Sequence, residues 1–323
     1  MIPVLQVEGL VKHYGIAGGF LGRAVAQVRA VDGISFAIAP GETLGLVGES
    51  GCGKSTVGKA VLRLVEPSAG RIVLEGEDIT RLGRSAMIEK RKRIQVIFQD
   101  PYSSLNPRMT AGDIVQEPLV NFRMGTAAEQ RERVGALFAR VGLRADQRAL
   151  YPHEFSGGQR QRLGIARALA LGPSVIIGDE PVSALDVSVQ AQVINLMVEL
   201  QEELGLSYLF VAHDLGVVEH ISHRVAVMYL GKIVEIGPRK SLFEAPRHPY
   251  TEALLAAVPV AHPRLRRKRA VLKGDVPSPI NPPPGCRFHT RCPIAVPRCR
   301  EAEPPLVADG AGHAVACHLR APA

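Results

Sequence analysis

The sequence contains no tryptophan, and aromatic residues make up only 5% of its 323 positions. Proteins that bind single-stranded nucleic acid without sequence preference stack the bases on aromatic side chains. The scarcity of aromatic residues argues against that class, so we expect no nucleic-acid partner despite the net charge of +8. Part of this charge lies in a basic run at residues 264–269, which fits either a solvated linker or contact with an anionic surface.

Long apolar runs are also missing. No stretch approaches the roughly 18–20 apolar residues that a membrane-spanning helix needs, and the most apolar windows, such as residues 175–177, have the length of a strand. Residues 1–4 lack the basic segment and apolar core of a secretory signal. We therefore expect a cytosolic location. The length predicts one large domain with an appendage, or two domains.

Strand and helix patterns alternate along most of the chain, which favours an α/β fold with a parallel sheet. Residues 109–150 have helical periodicity and no strong strand pattern, and proline becomes frequent after about residue 239. The predicted strands are residues 5–8, 34–38, 43–47, 72–74, 94–98, 174–177 and 207–212. The predicted division is a core at 1–100 and 160–239, a helical subdomain at 101–159 and a separate C-terminal extension at 240–323.

A phosphate-binding loop is predicted at residues 48–56, where GESGCGKST matches GxxxxGK followed by Ser or Thr. A strand precedes it and a helix follows it, which is the context that this motif requires. Backbone amides and the helix N-terminus attract phosphate oxygens. Lys54 would neutralise the β- and γ-phosphates, and the Ser55 hydroxyl would bind Mg²⁺. The nucleotide-contacting residues predicted here are Gly48, Ser50, Gly51, Gly53, Lys54, Ser55 and Thr56.

Polar side chains follow two other predicted strands. Asp179 and Glu180 come directly after the apolar residues 175–177, and His213 follows residues 207–212. Since ligands bind at the carboxyl ends of parallel strands, we expect these groups beside the phosphate loop. Asp179 would hold Mg²⁺ or its water, Glu180 would polarise the attacking water, and His213 would sense the γ-phosphate.

Residues 155–162, FSGGQRQR, resemble the signature motif of ABC ATPases. Together with the phosphate loop, Gln99, residues 183–186 and His213, they form the ordered motif set of that family, over roughly residues 4–240. The resemblance implies an ABC-type P-loop ATPase core, with a RecA-like parallel sheet and an antiparallel β subdomain. It also implies a head-to-tail dimer that encloses two ATP molecules.

The same resemblance implies roles for further residues. Tyr14 would stack on adenine, although the stretch after it is long enough that another aromatic residue could serve. Gln99 would bind Mg²⁺ and couple it to the helical subdomain. The groups that would contact ATP held by the other subunit are Ser156, Gly157, Gly158, Gln159 and Asp186.

Several longer segments resemble the ATPase subunits of dipeptide and oligopeptide importers. They are residues 96–107, 180–190, 248–251 and 285–293, while the insert at 18–23 is similar to that of the second of the two ATPase subunits. The implied partners are a different ATPase subunit, two membrane permeases and an external peptide-binding protein. The chain would lie at the cytoplasmic face of the membrane, and residues 100–125, kept irregular by Pro101, Pro107 and Pro118, would dock on the permease.

Four of the five cysteines lie near the end of the chain with the spacing C-x5-C-x6-C-x17-C. In a cytosolic protein such clustering favours metal ligation over disulfides, but the spacing is not that of a zinc ribbon or a ferredoxin. The resemblance implies a 4Fe–4S cluster held by Cys286, Cys292, Cys299 and Cys317. Zinc and plain buried thiols stay open as alternatives.

Two other functions remain to be weighed against peptide import. A soluble ABC ATPase acting on DNA or ribosomes would have two cassettes or a long coiled coil, and neither pattern is present. The transported cargo is less constrained, because an ATPase subunit need not touch it. Nickel chelates, glutathione or sugar oligomers are therefore alternatives to peptides.

Overall fold

The computed structural model describes residues 2–18, 23–257 and 274–322, so the basic run and most of the insert at 18–23 lie outside it. The strands are β1 Leu5–Gly18, β2 Arg23–Ile38, β3 Thr43–Val47, β4 Ala69–Leu74, β5 Glu77–Asp78, β6 Ile94–Ile97, β7 Val175–Asp179, β8 Ser207–Val211, β9 Arg224–Tyr229, β10 Lys232–Pro238, β11 Val307–Ala308 and β12 Ala314–Val315. The helices are α1 Lys54–Val61, α2 Arg84–Arg91, α3 Pro101–Ser104, α4 Ala111–Asn121, α5 Ala127–Arg140, α6 Gly157–Leu169, α7 Val187–Leu204, α8 Leu215–Ile221, α9 Arg239–Glu244, α10 Pro249–Ala257 and α11 Arg298–Glu301.

The larger sheet has the strand order β6-β7-β8-β3-β9-β10-β12-β11. From β6 to β9 the pairing is parallel, and every residue of β3 and β8 is buried. A parallel strand covered on both faces is apolar along its whole length, which is why residues 43–47 show no alternation. Parallel pairing also places the carboxyl ends of β3, β7 and β8 at one edge of the sheet.

The smaller sheet is antiparallel, with the order β2-β1-β4-β5. Its hairpin is much longer than the strands predicted at 5–8 and 34–38, which form only the far ends of β1 and β2. The register shifts at several points, for example between Val7 and Leu10, where Gly9 has a φ of 54°. Each shift breaks the period of two in the sequence, so the pattern alone does not reveal the full strands.

The helical region packs on the main sheet, because its buried side chains belong to one apolar cluster with residues of β7, β8 and β9. Helix α5 begins with a capping box in which Thr126 and Glu129 bind each other's backbone, and Leu119, Phe138 and Leu163 are fully buried. The expectation that prolines keep residues 100–125 irregular was wrong at two positions. Pro101 occupies the first turn of α3 and Pro118 lies inside α4.

The two prolines are tolerated for different reasons. The first turn of a helix suits the fixed φ of proline, because an N–H group there has no intrahelical partner. At Pro118 the helix loses one hydrogen bond, and burial of the neighbouring Ile114, Val115 and Leu119 offsets that loss.

The described parts of the C-terminal extension, residues 240–257 and 274–322, pack against the core and do not form a separate unit. Strand β12 pairs with β10, with Glu235 opposite Val315, so the extension lengthens the main sheet. The Phe288 ring lies 5.3 Å from that of Tyr229 and 5.4 Å from that of Tyr250, measured between centroids. No helix among the described residues is long and apolar enough to cross a membrane.

The junction between core and extension contains buried polar groups. Glu235 is fully buried and accepts hydrogen bonds from the Arg247 and His248 backbone and from His313 Nε2. His248 is 1% exposed, and its Nδ1 accepts the Tyr250 backbone N–H at 3.1 Å. Burial lowers the pKa of His248 from 6.5 to about 4. The imidazole is therefore neutral at pH 7.

This burial predicts a pH dependence of stability. As pH falls from 7 to 5, His248 gains a proton in the unfolded chain but stays neutral in the folded one, so the free energy of unfolding should fall by about 2 kcal/mol. Urea unfolding at several pH values measures this. His248→Asn keeps an acceptor for the Tyr250 N–H and should flatten the dependence, whereas His153→Asn, at an exposed site, should preserve it. An unchanged pH dependence of the free energy of unfolding in His248→Asn would contradict the prediction.

Candidate active site

The loop between β3 and α1 has a shape that only glycine permits at two positions. Gly53 has a φ of 109°, and a Cβ atom there would lie 2.0 Å from the Ala30 carbonyl oxygen. A Cβ atom at Gly48 would lie 2.2 Å from the Met228 carbonyl oxygen. Glycine therefore allows the loop to lie directly against the backbone of β2 and β9. The loop leads into the N-terminus of α1, a position that favours phosphate oxygens.

Lys54 is buried inside this loop. Its ammonium donates hydrogen bonds to the carbonyl oxygens of Gly48 at 2.7 Å and Glu49 at 3.1 Å, and the residue is only 4% exposed. Lys54 and five other residues of the predicted loop set, Ser50, Gly51, Gly53, Ser55 and Thr56, line one cavity. The cavity thus combines a helix N-terminus with a fixed positive charge.

Asp179 and Ser55 come together as expected from the topology. Strand β7 ends at Asp179, and the Ser55 Oγ donates to its Oδ1 at 2.8 Å. A carboxylate and a hydroxyl at this spacing are oxygen donors of the kind that Mg²⁺ prefers. The chemistry of the donor set therefore fits this ion.

Glu180 is the centre of a second polar group. Its Oε2 accepts hydrogen bonds from Gln99 Nε2 at 3.3 Å and from His213 Nδ1 at 3.1 Å. Its φ of 50° is unusual for a residue with a side chain, and a hydrogen bond from its backbone N–H to the Val211 carbonyl holds it there. Glu180, Gln99 and His213 line the same cavity as Lys54.

The residues predicted to act across a dimer lie elsewhere. Ser156 caps α6, where it and Gln159 accept each other's backbone N–H, and Ser156 and Gly157 are exposed. A Cβ atom at Gly158 would lie 2.5 Å from Val189 in α7, the helix that Asp186 caps. Among the described residues, none of these five lines the cavity that contains Lys54.

The predicted adenine partner is not among the cavity residues either. Tyr14 lies in β1 opposite Val28, and the Lys12 Nζ is 4.9 Å from the centroid of its ring. Val28 and Ala30, which are two apart in β2, line the cavity instead, and their shared face follows from the period of a strand. Pro279 from the extension also lines it, and no signal in the sequence indicates that contact.

The four C-terminal cysteines are all free thiols, with Cys299 and Cys317 buried and Cys286 and Cys292 half-buried. Within the described part of the chain, no group of three or more His, Cys, Asp or Glu side chains is arranged to hold a metal ion. Burial, with a smaller contribution from the nearby cysteines, raises the pKa of Cys286 to about 11. The described residues therefore give no support to the expected 4Fe–4S cluster.

Two family models match the chain. One, described as ABC transporter, matches residues 31–183, and the other, described as oligopeptide/dipeptide transporter, C-terminal region, matches residues 234–299. A relative from Sinorhizobium fredii (strain NBRC 101917 / NGR234), a probable peptide ABC transporter ATP-binding protein, is 57% identical over 99% of this chain and 91% of its own length. The oligopeptide transport ATP-binding protein AppF of Bacillus subtilis (strain 168) is 55% identical, over 98% of this chain and 97% of its own.

Solved structures agree with these matches. A dimeric post-hydrolysis state of the ATP-binding cassette MJ0796, bound to ADP and Pi, has a TM-score of 0.65 and 27% identity, and covers 73% of this chain and 98% of that one. The cbiO1 protein from Clostridium perfringens, part of the transporter complex cbiONQ, also has a TM-score of 0.65, with 29% identity over 75% of this chain and 91% of its own.

The two family models together span the phosphate loop, the signature segment and most of the extension. The relatives match nearly every residue of the chain, and the solved cassettes share the fold that positions Lys54, Asp179 and Glu180. This chain therefore belongs to the ABC transporter ATP-binding subunits, in the dipeptide and oligopeptide importer family.

Proposed function

We propose that this chain hydrolyses ATP to drive the uptake of dipeptides and oligopeptides through a membrane permease. The observation that carries the proposal is the meeting of Lys54, the Ser55–Asp179 pair and Glu180 at one edge of the parallel sheet. Relatives named as peptide transport ATP-binding proteins support the choice of cargo. The cytoplasmic face of the membrane is the location that this role requires.

The proposed chemistry is in-line transfer of the γ-phosphoryl group to water. Amides of residues 48–56 and the Lys54 ammonium bind the phosphates. Ser55, Asp179 and Gln99 would hold Mg²⁺, which would supply positive charge to offset that of the phosphates. Glu180 accepts a hydrogen bond from the attacking water. The new P–O bond forms as the bond to the β-phosphate oxygen breaks and the water gives up one proton, leaving ADP, inorganic phosphate and a released proton. His213 orients Glu180 and contacts the γ-phosphate.

A second cassette completes the site in this proposal. Ser156 and Gly157 are exposed at the N-terminus of α6 and line no part of their own chain's nucleotide cavity. A capped helix end with small residues is suited to meet an anion held by a neighbour. The known dimer of a related cassette, solved with ADP and Pi, has the same fold. A different ATPase subunit would fill this position, with Gln159 and Asp186 at the contact.

The helical subdomain at 101–159 is the proposed docking surface for the two permeases. Tyr102 is 61% exposed, and the Arg160 guanidinium lies 4.9 Å from the centroid of its ring. Arg160 also donates to the Pro152 carbonyl, next to the exposed Tyr151. Exposed aromatic and arginine side chains are enriched at protein interfaces. Tyr102 lies three residues after Gln99 in the sequence. The same short segment therefore contributes both to the proposed permease contact and to the active site.

In this proposal, residues 1–100 and 160–239 bind and hydrolyse ATP. Residues 240–323 brace this core through β12 and Phe288.

Two substitutions separate binding from chemistry. Lys54→Ala removes the buried ammonium, so ATP binding should be lost. Glu180→Gln keeps the size and the hydrogen-bonding capacity of the side chain but not its charge, so ATP binding should persist while turnover falls about 100-fold or more. Equilibrium dialysis with radiolabelled ATP and phosphate release by the assembled complex measure the two effects. Glu203→Gln, at an exposed ion pair with Arg140, is the control, and undiminished turnover in Glu180→Gln would remove that residue from its role.

Transport itself is tested in proteoliposomes that contain the permeases, both ATPase subunits and the binding protein. ATP supplied on the ATPase side should drive accumulation of a labelled peptide, and Glu180→Gln should abolish it. The same vesicles are offered a nickel chelate, glutathione and a sugar oligomer. ATP-driven uptake of one of these without peptide uptake would refute the assignment of peptides as the cargo. Failure of the chain to associate with the permeases would refute the proposed role in transport.

A further inference from the structure

Glu49, the second residue of the phosphate loop, makes an ion pair with the C-terminal extension. Arg291 donates from Nη1 to Glu49 Oε2 at 2.7 Å and from Nη2 to Oε1 at 3.1 Å. The Arg291 side chain is only 7% exposed. A guanidinium that meets both oxygens of a carboxylate is fixed in direction as well as in distance. The extension therefore holds the loop through a rigid contact.

The backbone of the same residue is held as well. The Glu49 N–H donates to the Tyr250 hydroxyl at 2.9 Å, and its carbonyl accepts from the Lys54 ammonium at 3.1 Å. Tyr250 is fully buried against Tyr229 and Phe288. Glu49 thus connects two side chains of the extension directly to the lysine that faces the nucleotide cavity.

The charge of Glu49 gives the contact with Arg291 a consequence for ligand binding. A carboxylate inside a phosphate-binding loop repels a triphosphate at close range. The Arg291 guanidinium offsets that charge from the side of the extension, so that the loop presents a net positive charge from Lys54. The extension reaches the cavity at a second point, where the Arg29 N–H donates to the Pro279 carbonyl at 3.0 Å and Pro279 lines the wall.

We propose that Arg291 and Tyr250 are positioning residues for ATP: the C-terminal extension clamps Glu49, fixes the first turn of the phosphate loop in its binding geometry and neutralises the carboxylate that would otherwise repel the triphosphate. The proposal rests on the proposed function, since it requires that this loop binds ATP. It assigns the extension a role in nucleotide affinity beyond bracing the fold.

The test is the dissociation constant of radiolabelled Mg-ATP for the full chain, measured by equilibrium dialysis. Arg291→Ala should raise it at least about tenfold, as expected for a lost charge-assisted contact. Glu49→Gln combined with Arg291→Ala should recover most of the affinity, because no uncompensated carboxylate then remains. Tyr250→Phe removes one oxygen atom from a buried ring and should weaken binding a few-fold, even if Arg291→Ala does not fold.

Glu303→Gln is the matched control. The substitution breaks the ion pair between Glu303 and Lys232, at 2.8 Å, which also joins the extension to the core but touches no residue of the phosphate loop. The affinity of this variant for Mg-ATP should stay within about twofold of that of the wild type. If the wild type binds Mg-ATP while Arg291→Ala and Tyr250→Phe bind it equally well, the clamp is wrong and the proposed function stands. A defect in Arg291→Ala that Glu49→Gln does not relieve would overturn the charge argument. If the wild type does not bind Mg-ATP, the proposed function fails and the clamp with it.

Discussion

The site depends on the parallel pairing of β3, β7 and β8. Because the three strands run in one direction, the residues that follow them meet at a single edge, although they are far apart in sequence. Gly48, Glu180 and His213 reach the same region only for this reason. Burial of both faces of these strands fixes their register, so apolar side chains that never contact nucleotide determine the distances between the groups that do.

Many of these strands and site residues could be predicted from the sequence, because each is indicated by a pattern of adjacent residues. The phosphate loop carries its function in nine adjacent residues, and apolar strands without alternation precede both that loop and Asp179. The prediction of an ABC-type core is confirmed by the solved cassettes. Strands β9 and β10 are not among the predicted strands, and the bulges of the β1–β2 hairpin concealed most of its length. Where a bulge breaks the period of two, the alternation of apolar and polar residues no longer indicates a strand.

The contacts between the core and the extension could not be predicted. No sequence pattern near Arg291 indicates that this residue forms an ion pair with Glu49. Likewise, no pattern indicates that Pro279 lines the nucleotide cavity. The composition of the extension predicts a separate unit, yet β12 joins the main sheet and Phe288 packs against Tyr229 of the core. The cysteine spacing shows the same limit, because four clustered thiols do not by themselves form a metal site. The proposed contact of Arg291 and Tyr250 with the phosphate loop depends on this continuity between core and extension.

In the proposed cycle, one chain binds the triphosphate and a neighbouring cassette completes the site. A structure of the assembled complex, with its permeases, trapped with Mg-ATP, tests this directly. We expect the backbone amides and Lys54 of residues 48–56 to surround one triphosphate, and the α6 N-terminus at Ser156 to face the nucleotide held by the partner subunit. Nucleotide bound to this chain with no second cassette against it, or bound away from residues 48–56, would refute the proposal.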